Sequence, residues 1–113
     1  MAEARVVVPP VARNKSLDPI REPLEGKTLS DVRNRLKTAR GHVDHILGML
    51  DEGAYAIDVL RQVAAVRGAL DATARTTLRY YFEHLFANAV KRGQTKAASD
   101  ELMSALSFLR QIE

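Results

Sequence analysis

Basic side chains recur along two stretches of this sequence at helical spacing. Arg33, Lys37 and Arg40 fall at i, i+4 and i+7, so a helix through them carries all three on one side. Arg35 lies on the other flank of the adjoining apolar face, near His42, and Arg61, Arg67, Arg75 and Arg79 extend the series at long helical spacing. A guanidinium matches phosphate in a bidentate fork, so an arginine-rich helical face suits a nucleic-acid backbone. Asp44, Asp51, Asp58 and Asp71 are interleaved with these cations, and mixed charge of that kind is also the pattern of a solvated face. No helix-turn-helix or other standard DNA-reading motif is visible.

Other chemistry is sparse. His42 and His45, one turn apart, offer two imidazoles to a metal, but a third ligand is missing nearby, and surface histidines are the simpler reading. Cysteine is absent, which removes disulfides, thiolate nucleophiles, zinc fingers, iron–sulfur sites and Cu(I)–thiolate sites together. There is no nucleophile–base pair, no Gly-rich phosphate loop and no carboxylate cluster on an apolar face, so the reading is not an enzyme. The net charge of +3 is a mild basic excess, compatible with nucleic acid but weak as a signal. No run approaches the length of a spanning helix, so no membrane role is expected. The opening MAEARVVVPPVARNK is too short in apolar residues, and too broken by proline, for a secretory signal. The expected setting is the cytoplasm.

The elements that must position these residues follow from proline and from periodicity. The chain has 113 residues, one domain's worth, with 46% hydrophobic side chains. All four prolines (Pro9, Pro10, Pro19 and Pro23) precede residue 24. Residues 1–28 show no helical period and read as an irregular N-terminal arm; residues 29–113 read as helix throughout. The first helix is expected over about 29–51, opened by a capping box of Thr28 and Asp31 and closed by Gly53. Its apolar face is Val32, Leu36, Ala39, Val43, Ile46, Leu47 and Leu50. The second is expected over about 54–92, a rod of roughly 58 Å, closed by Gly93. Its main stripe runs from Ala56 through Val59, Leu60, Val63, Val66 and Leu70 to Tyr81 and Leu85. A second stripe holds Ile57, Ala64, Gly68, Phe82, Phe86 and Ala89. The third is expected over about 95–112. The fold class is therefore all-α, a three-helix protomer with one long central helix. The outer two helices lie along the main stripe, and the bare second stripe asks for a partner, most simply a second copy.

The segment RLKTARGHVDHILGMLDEGAYAIDVLRQVAAVRGAL, residues 35–70, resembles the CsoR/RcnR/FrmR family of bacterial metal- and aldehyde-responsive transcriptional repressors. The family pattern opens RL-x-x-x-x-G and continues Y-C-x-D-V-L-x-Q-x-x-A-V; here Ala56 replaces the cysteine. FANAVKRGQTKAASDELMSALSFL is similar to the family's third helix and the connection before it, and the likeness covers about residues 31–109. It implies a dimer with paired helices, commonly a dimer of dimers (a homotetramer). It also implies operator binding without a helix-turn-helix, through basic residues of the first two helices, with effector binding at the dimer interface releasing the DNA. Arg35, Lys37 and Arg67 match basic positions of the family.

Family members bind Cu(I), Ni(II) or Co(II), and the positions that hold the metal are here Ala56, Tyr81 and Leu85. On an ideal helix these project within about 40° of one another, as a small apolar corner with a phenol in it. Tyr55 and Glu101, which match the positions supporting the ligands, are kept. The chain thus resembles a cysteine-free member without the usual ligands. No cofactor is expected, and aldehyde sensing, which needs the same cysteine, is lost with the metal. Tyr81, Tyr55 and Glu101 are expected to form a polar network in its place. The expected function is an operator-binding repressor that uses Arg33, Arg35, Lys37, Arg40 and Arg67 and does not sense Cu(I). The alternative is a helical interaction protein that co-assembles with a metal-sensing paralogue.

Overall fold

The computed structural model describes residues 15–111. Every regular element among them is helical, and no strand occurs among the described residues. Two compact units divide the chain: Pro23–Phe82, and Met1–Glu22 with Glu83–Glu113, of which 15–22 and 83–111 are described.

The first unit is a helical hairpin of α1 (Gly26–Asp51) and α2 (Ala56–Tyr80). Helix α1 starts three residues before Leu29. The Leu29 N–H already donates to the Glu25 carbonyl at 3.3 Å, and Glu25 is the N-cap, with no side-chain cap bond. Thr28 lies inside the first turn, so the capping box expected of Thr28 and Asp31 does not form. Gly26, at φ +59°, lets the chain enter the helix earlier than a side-chain cap would place it. The closing signal acts as expected. Gly53 sits at φ +76°, and Ala54 N–H reaches back to the Met49 carbonyl at 2.9 Å, the six-residue closure of a Schellman motif. Gly93 repeats it at φ +74°, with Gln94 N–H on the Ala89 carbonyl at 2.8 Å.

The two helices meet along a seven-residue step. Val32, Ala39 and Ile46 are the buried residues of α1; Val66 and Thr73 are those of α2, with Val59 and Tyr80 half-buried in the same register. A seven-residue step drifts only about 20° on a straight helix, so each set stays on one seam. The Thr73 hydroxyl donates to the Ala69 carbonyl at 2.9 Å, which meets its hydrogen-bonding need inside its own helix. Only half of each apolar face is used. Leu36, Val43, Leu47 and Leu50 on α1 and Leu60, Val63 and Leu70 on α2 remain exposed. The expectation that the main stripe of the central helix would be covered is corrected here: α1 covers one side of it and leaves Leu60, Val63 and Leu70 bare.

Past Tyr80 the helix widens into a π-turn, Tyr81–Phe86, and resumes as α3 (Ala87–Lys91). In the second unit α3 packs with α4 (Thr95–Gln111) and a 3-10 segment, Lys15–Ile20. Its core is Leu17, 2% exposed, with Ala89 and Ala98, at 0% and 1%; Phe86 and Ala97 pack against them. Arg21 Nη2 donates to Glu101 Oε2 at 3.1 Å, and Gln94 Nε2 donates to the Ser16 carbonyl. Residues 15–22 are therefore not the irregular arm that their lack of periodicity implies; residues 1–14, and the expected helix end at Ile112, lie outside the described residues. Phe86 and Ala89, read as part of a bare second stripe, belong to this core.

Leu17 supplies the largest side chain of that core. Leu17→Ala is expected to lower the unfolding free energy by about 2–5 kcal/mol, read from urea midpoints at one fixed protein concentration. Lys15→Ala, on the exposed side of the same segment, is expected to stay within about 0.5 kcal/mol of the parent. Equal midpoints for the two variants would show that the segment is not docked.

Candidate nucleic-acid interface

The rotation of α1 is set by its buried seam, and that rotation decides where its cations go. With Val32, Ala39 and Ile46 turned inward, Arg33, Lys37 and Arg40 are exposed together. They share one open face of α1 with Leu29 and Leu36. Arg35 and Arg67 are exposed as well but are not on that face. The structure thus places three of the five expected DNA-contacting residues on one exposed face of α1.

The interleaved aspartates do not neutralise this surface. Among the described residues, none of Arg33, Arg35, Lys37 and Arg40 forms an ion pair. Long cationic side chains on exposed apolar-rimmed helix faces keep their charge in water while their stems cover neighbouring carbon. Such a surface can accept phosphate oxygens from a nucleic-acid backbone.

His42 has a role that sequence reasoning missed. Its Nε2 lies 2.7 Å from Gln62 Oε1, a hydrogen bond that joins α1 to α2 when the ring carries its proton there. The signal that could have found it is the hairpin register, which places residue 42 opposite residue 62. The His42 and His45 rings are 6.4 Å apart between centroids and tilted by 51°. No group of three His, Cys, Asp or Glu able to hold a metal exists among the described residues.

The positions that the resemblance assigns to metal ligands are spread along the long helix. Ala56 is the first residue of α2, and Tyr81 and Leu85 are in the π-turn. A π-turn closes i to i+5 and rotates each residue by less than the α-helix does, so the 40° grouping of Ala56, Tyr81 and Leu85 does not carry through it. The donors do not fit Cu(I): a methyl group, a phenol and an isobutyl group offer no thiolate, thioether or imidazole. Tyr55 is the N-cap of α2, 70% exposed, and its carbonyl accepts from the Asp58 and Val59 N–H groups. Tyr55 and Tyr81 stand at opposite ends of α2, about 39 Å apart by helical rise. The expected network of Tyr55, Tyr81 and Glu101 therefore does not form within one protomer. Glu101 is engaged instead by Arg21, both groups largely shielded from solvent.

Comparison with known proteins agrees with the fold. A family model described as metal-sensitive transcriptional repressor matches residues 28–107. The copper-sensing transcriptional repressor CsoR of Mycobacterium ulcerans is 47% identical over 75 residues, which are 66% of this chain and 64% of that protein. The protein of the same name from Bacillus subtilis is 34% identical over 77 residues, 68% of this chain and 76% of that one. The chain spans just under two thirds of the length of the mycobacterial relatives it matches. The crystal structure of the copper-sensing repressor CsoR with Cu(I) from Geobacillus thermodenitrificans superposes with a TM-score of 0.75. The two are 25% identical, and the superposition covers 80% of this chain and 95% of that one. With the family match extending from the first turn of α1 deep into α4, the chain belongs to the metal-sensitive transcriptional repressors.

Proposed function

We propose that this chain is an operator-binding repressor that contacts DNA through Arg33, Arg35, Lys37 and Arg40 of α1 and Arg67 of α2. The observation that carries the reading is the row Arg33, Lys37 and Arg40, exposed on one face of α1 and unpaired by any described carboxylate. Family membership supplies the regulatory context. The working form is a dimer or dimer of dimers in the cytoplasm, and the half-exposed leucines and valines of the hairpin are the surface that such an assembly would cover. Cu(I) is not the effector at the family's usual position, because Ala56, Tyr81 and Leu85 cannot supply soft donors and the thioethers Met49 and Met103 lie on α1 and α4 instead. The same exposed apolar face supports a second reading, in which the chain co-assembles with a metal-sensing paralogue and acts through it.

Fluorescence anisotropy with the DNA upstream of the chain's own gene tests the reading. Binding is expected to weaken steeply with salt, and Lys37→Ala and Arg35→Ala are each expected to reduce the log–log salt slope by about 0.9 with helix content unchanged. Binding by both variants equal to the parent would reduce the basic row to a solvated face.

A competition titration addresses the metal. No tight Cu(I) uptake and no Cu(I)-driven DNA release are expected; one tightly held Cu(I) per protomer with loss of DNA would refute the absence of copper sensing.

A further inference from the structure

Residues 16–21 meet α3 and α4 at three points of different chemistry. Leu17, 2% exposed, packs on Ala89 of α3 and Ala98 of α4, with Phe86 and Ala97 beside it. The two alanines keep the helix surface low, so a leucine from outside fits where a larger side chain would have filled the space. Gln94 Nε2 donates to the Ser16 carbonyl. Arg21 Nη2 donates to Glu101 Oε2 at 3.1 Å, with the two side chains 28% and 16% exposed. A seated apolar side chain, a main-chain carbonyl held by an amide, and a charge met by its opposite are together the means by which a peptide is recognised. Here the peptide belongs to the chain itself.

Gln94 shows that the contact is favoured over local helix stability. Its carbonyl accepts the Ala98 N–H at 3.0 Å, so it directly precedes α4, where Ser, Thr, Asp or Asn would bond the free N–H groups of the first turn. Gln94 instead turns its amide to Ser16, and a local rule broken in this way marks a position with another task. The closed state carries costs of its own. Gln94 Oε1 is buried without a hydrogen-bond partner, and a 3-10 turn has poorer hydrogen-bond geometry than an α-helix. The segment is a ligand that is held and that can leave.

We propose that α3 and α4 form a peptide-binding groove that reads Ser-Leu-x-x-x-Arg, and that residues 16–21 are its resident ligand. The segment is a strap that opens and recloses, and the open groove takes the same pattern from a free peptide. The proposal is independent of DNA binding.

A fluorescent synthetic peptide spanning residues 15–22 tests the groove by anisotropy, with the full-length Leu17→Asp chain as the opened form. One peptide per protomer is expected. The parent chain, whose tethered copy competes, is expected to bind it at least about tenfold more weakly. Peptides with aspartate in place of the leucine, or glutamate in place of the arginine, are each expected to lose about tenfold or more. The glutamate peptide is expected to recover on a Leu17→Asp, Glu101→Arg chain. A second measurement leaves the groove and Leu17 untouched, in case Leu17→Asp unfolds. A dye on Lys15→Cys, the single thiol of that variant, is expected to gain mobility with Arg21→Glu and to lose it again with Arg21→Glu, Glu101→Arg. Any of three results would overturn the proposal: no peptide binding by a folded opened chain, equal binding of the altered peptides, or a dye mobility indifferent to Arg21→Glu.

Discussion

The seam between α1 and α2 sets the position of everything else in the hairpin. Its residues are modest: Val32, Ala39 and Ile46 against Val66 and Thr73. Ala39 in the middle keeps the two backbones close, and the seven-residue step holds the same stripe inward along the helix. Turning α1 by one residue, about 100°, would bring Arg33 and Arg40 into the seam in one direction and Asp31, Thr38 and His45 in the other, at the cost of desolvating charged or polar groups. The His42–Gln62 bond marks the same register in polar terms. The exposure of the cations on α1 is thus a consequence of which side chains point inward.

Toward the far end of the hairpin the helix changes character. Thr73, Thr76 and Thr77 each return a hydroxyl hydrogen bond to the carbonyl four residues before. Such bonds share acceptors with the main-chain ladder and loosen it, and the π-turn begins at Tyr81, shortly afterwards. Wide turns of this kind often mark functional positions. Here the turn includes Tyr81 and Leu85, two of the positions that the resemblance assigns to metal ligands. The carboxylate of Glu101, kept from the family pattern, is drawn into an ion pair with Arg21 of the 3-10 segment.

Features governed by neighbours in sequence were legible, and those governed by distant contacts were not. Gly53 and Gly93 announce helix ends because the left-handed backbone they adopt is a local requirement. The apolar face of α1 could be read from its spacing, as could the row Arg33, Lys37 and Arg40. The same arithmetic could not tell which half of the face packs and which half stays open, because Val32 and Leu36 look alike to a periodicity count. The start at Gly26 was hidden by Thr28, a stronger capping residue two positions further on. The π-turn was invisible because Tyr81–Phe86 is a plausible stretch of ordinary helix, and every angle computed across it assumed 100° per residue. Lys15–Ile20 has no period of its own; it is held by Leu17 in a core built from α3 and α4, and the family match begins only at residue 28.

That last contact has a consequence for the order in which the molecule is made. The bonds that fix the segment, Ser16 to Gln94 and Arg21 to Glu101, span 78 and 80 residues. At a synthesis rate of about 5–20 residues per second, the segment waits roughly 4–16 s for its partners to be polymerised. A hairpin of two sequential helices forms in far less time than that. Residues 23–82 can therefore settle while Leu17 still lacks its cover, so a segment made before the hairpin finds its place after it.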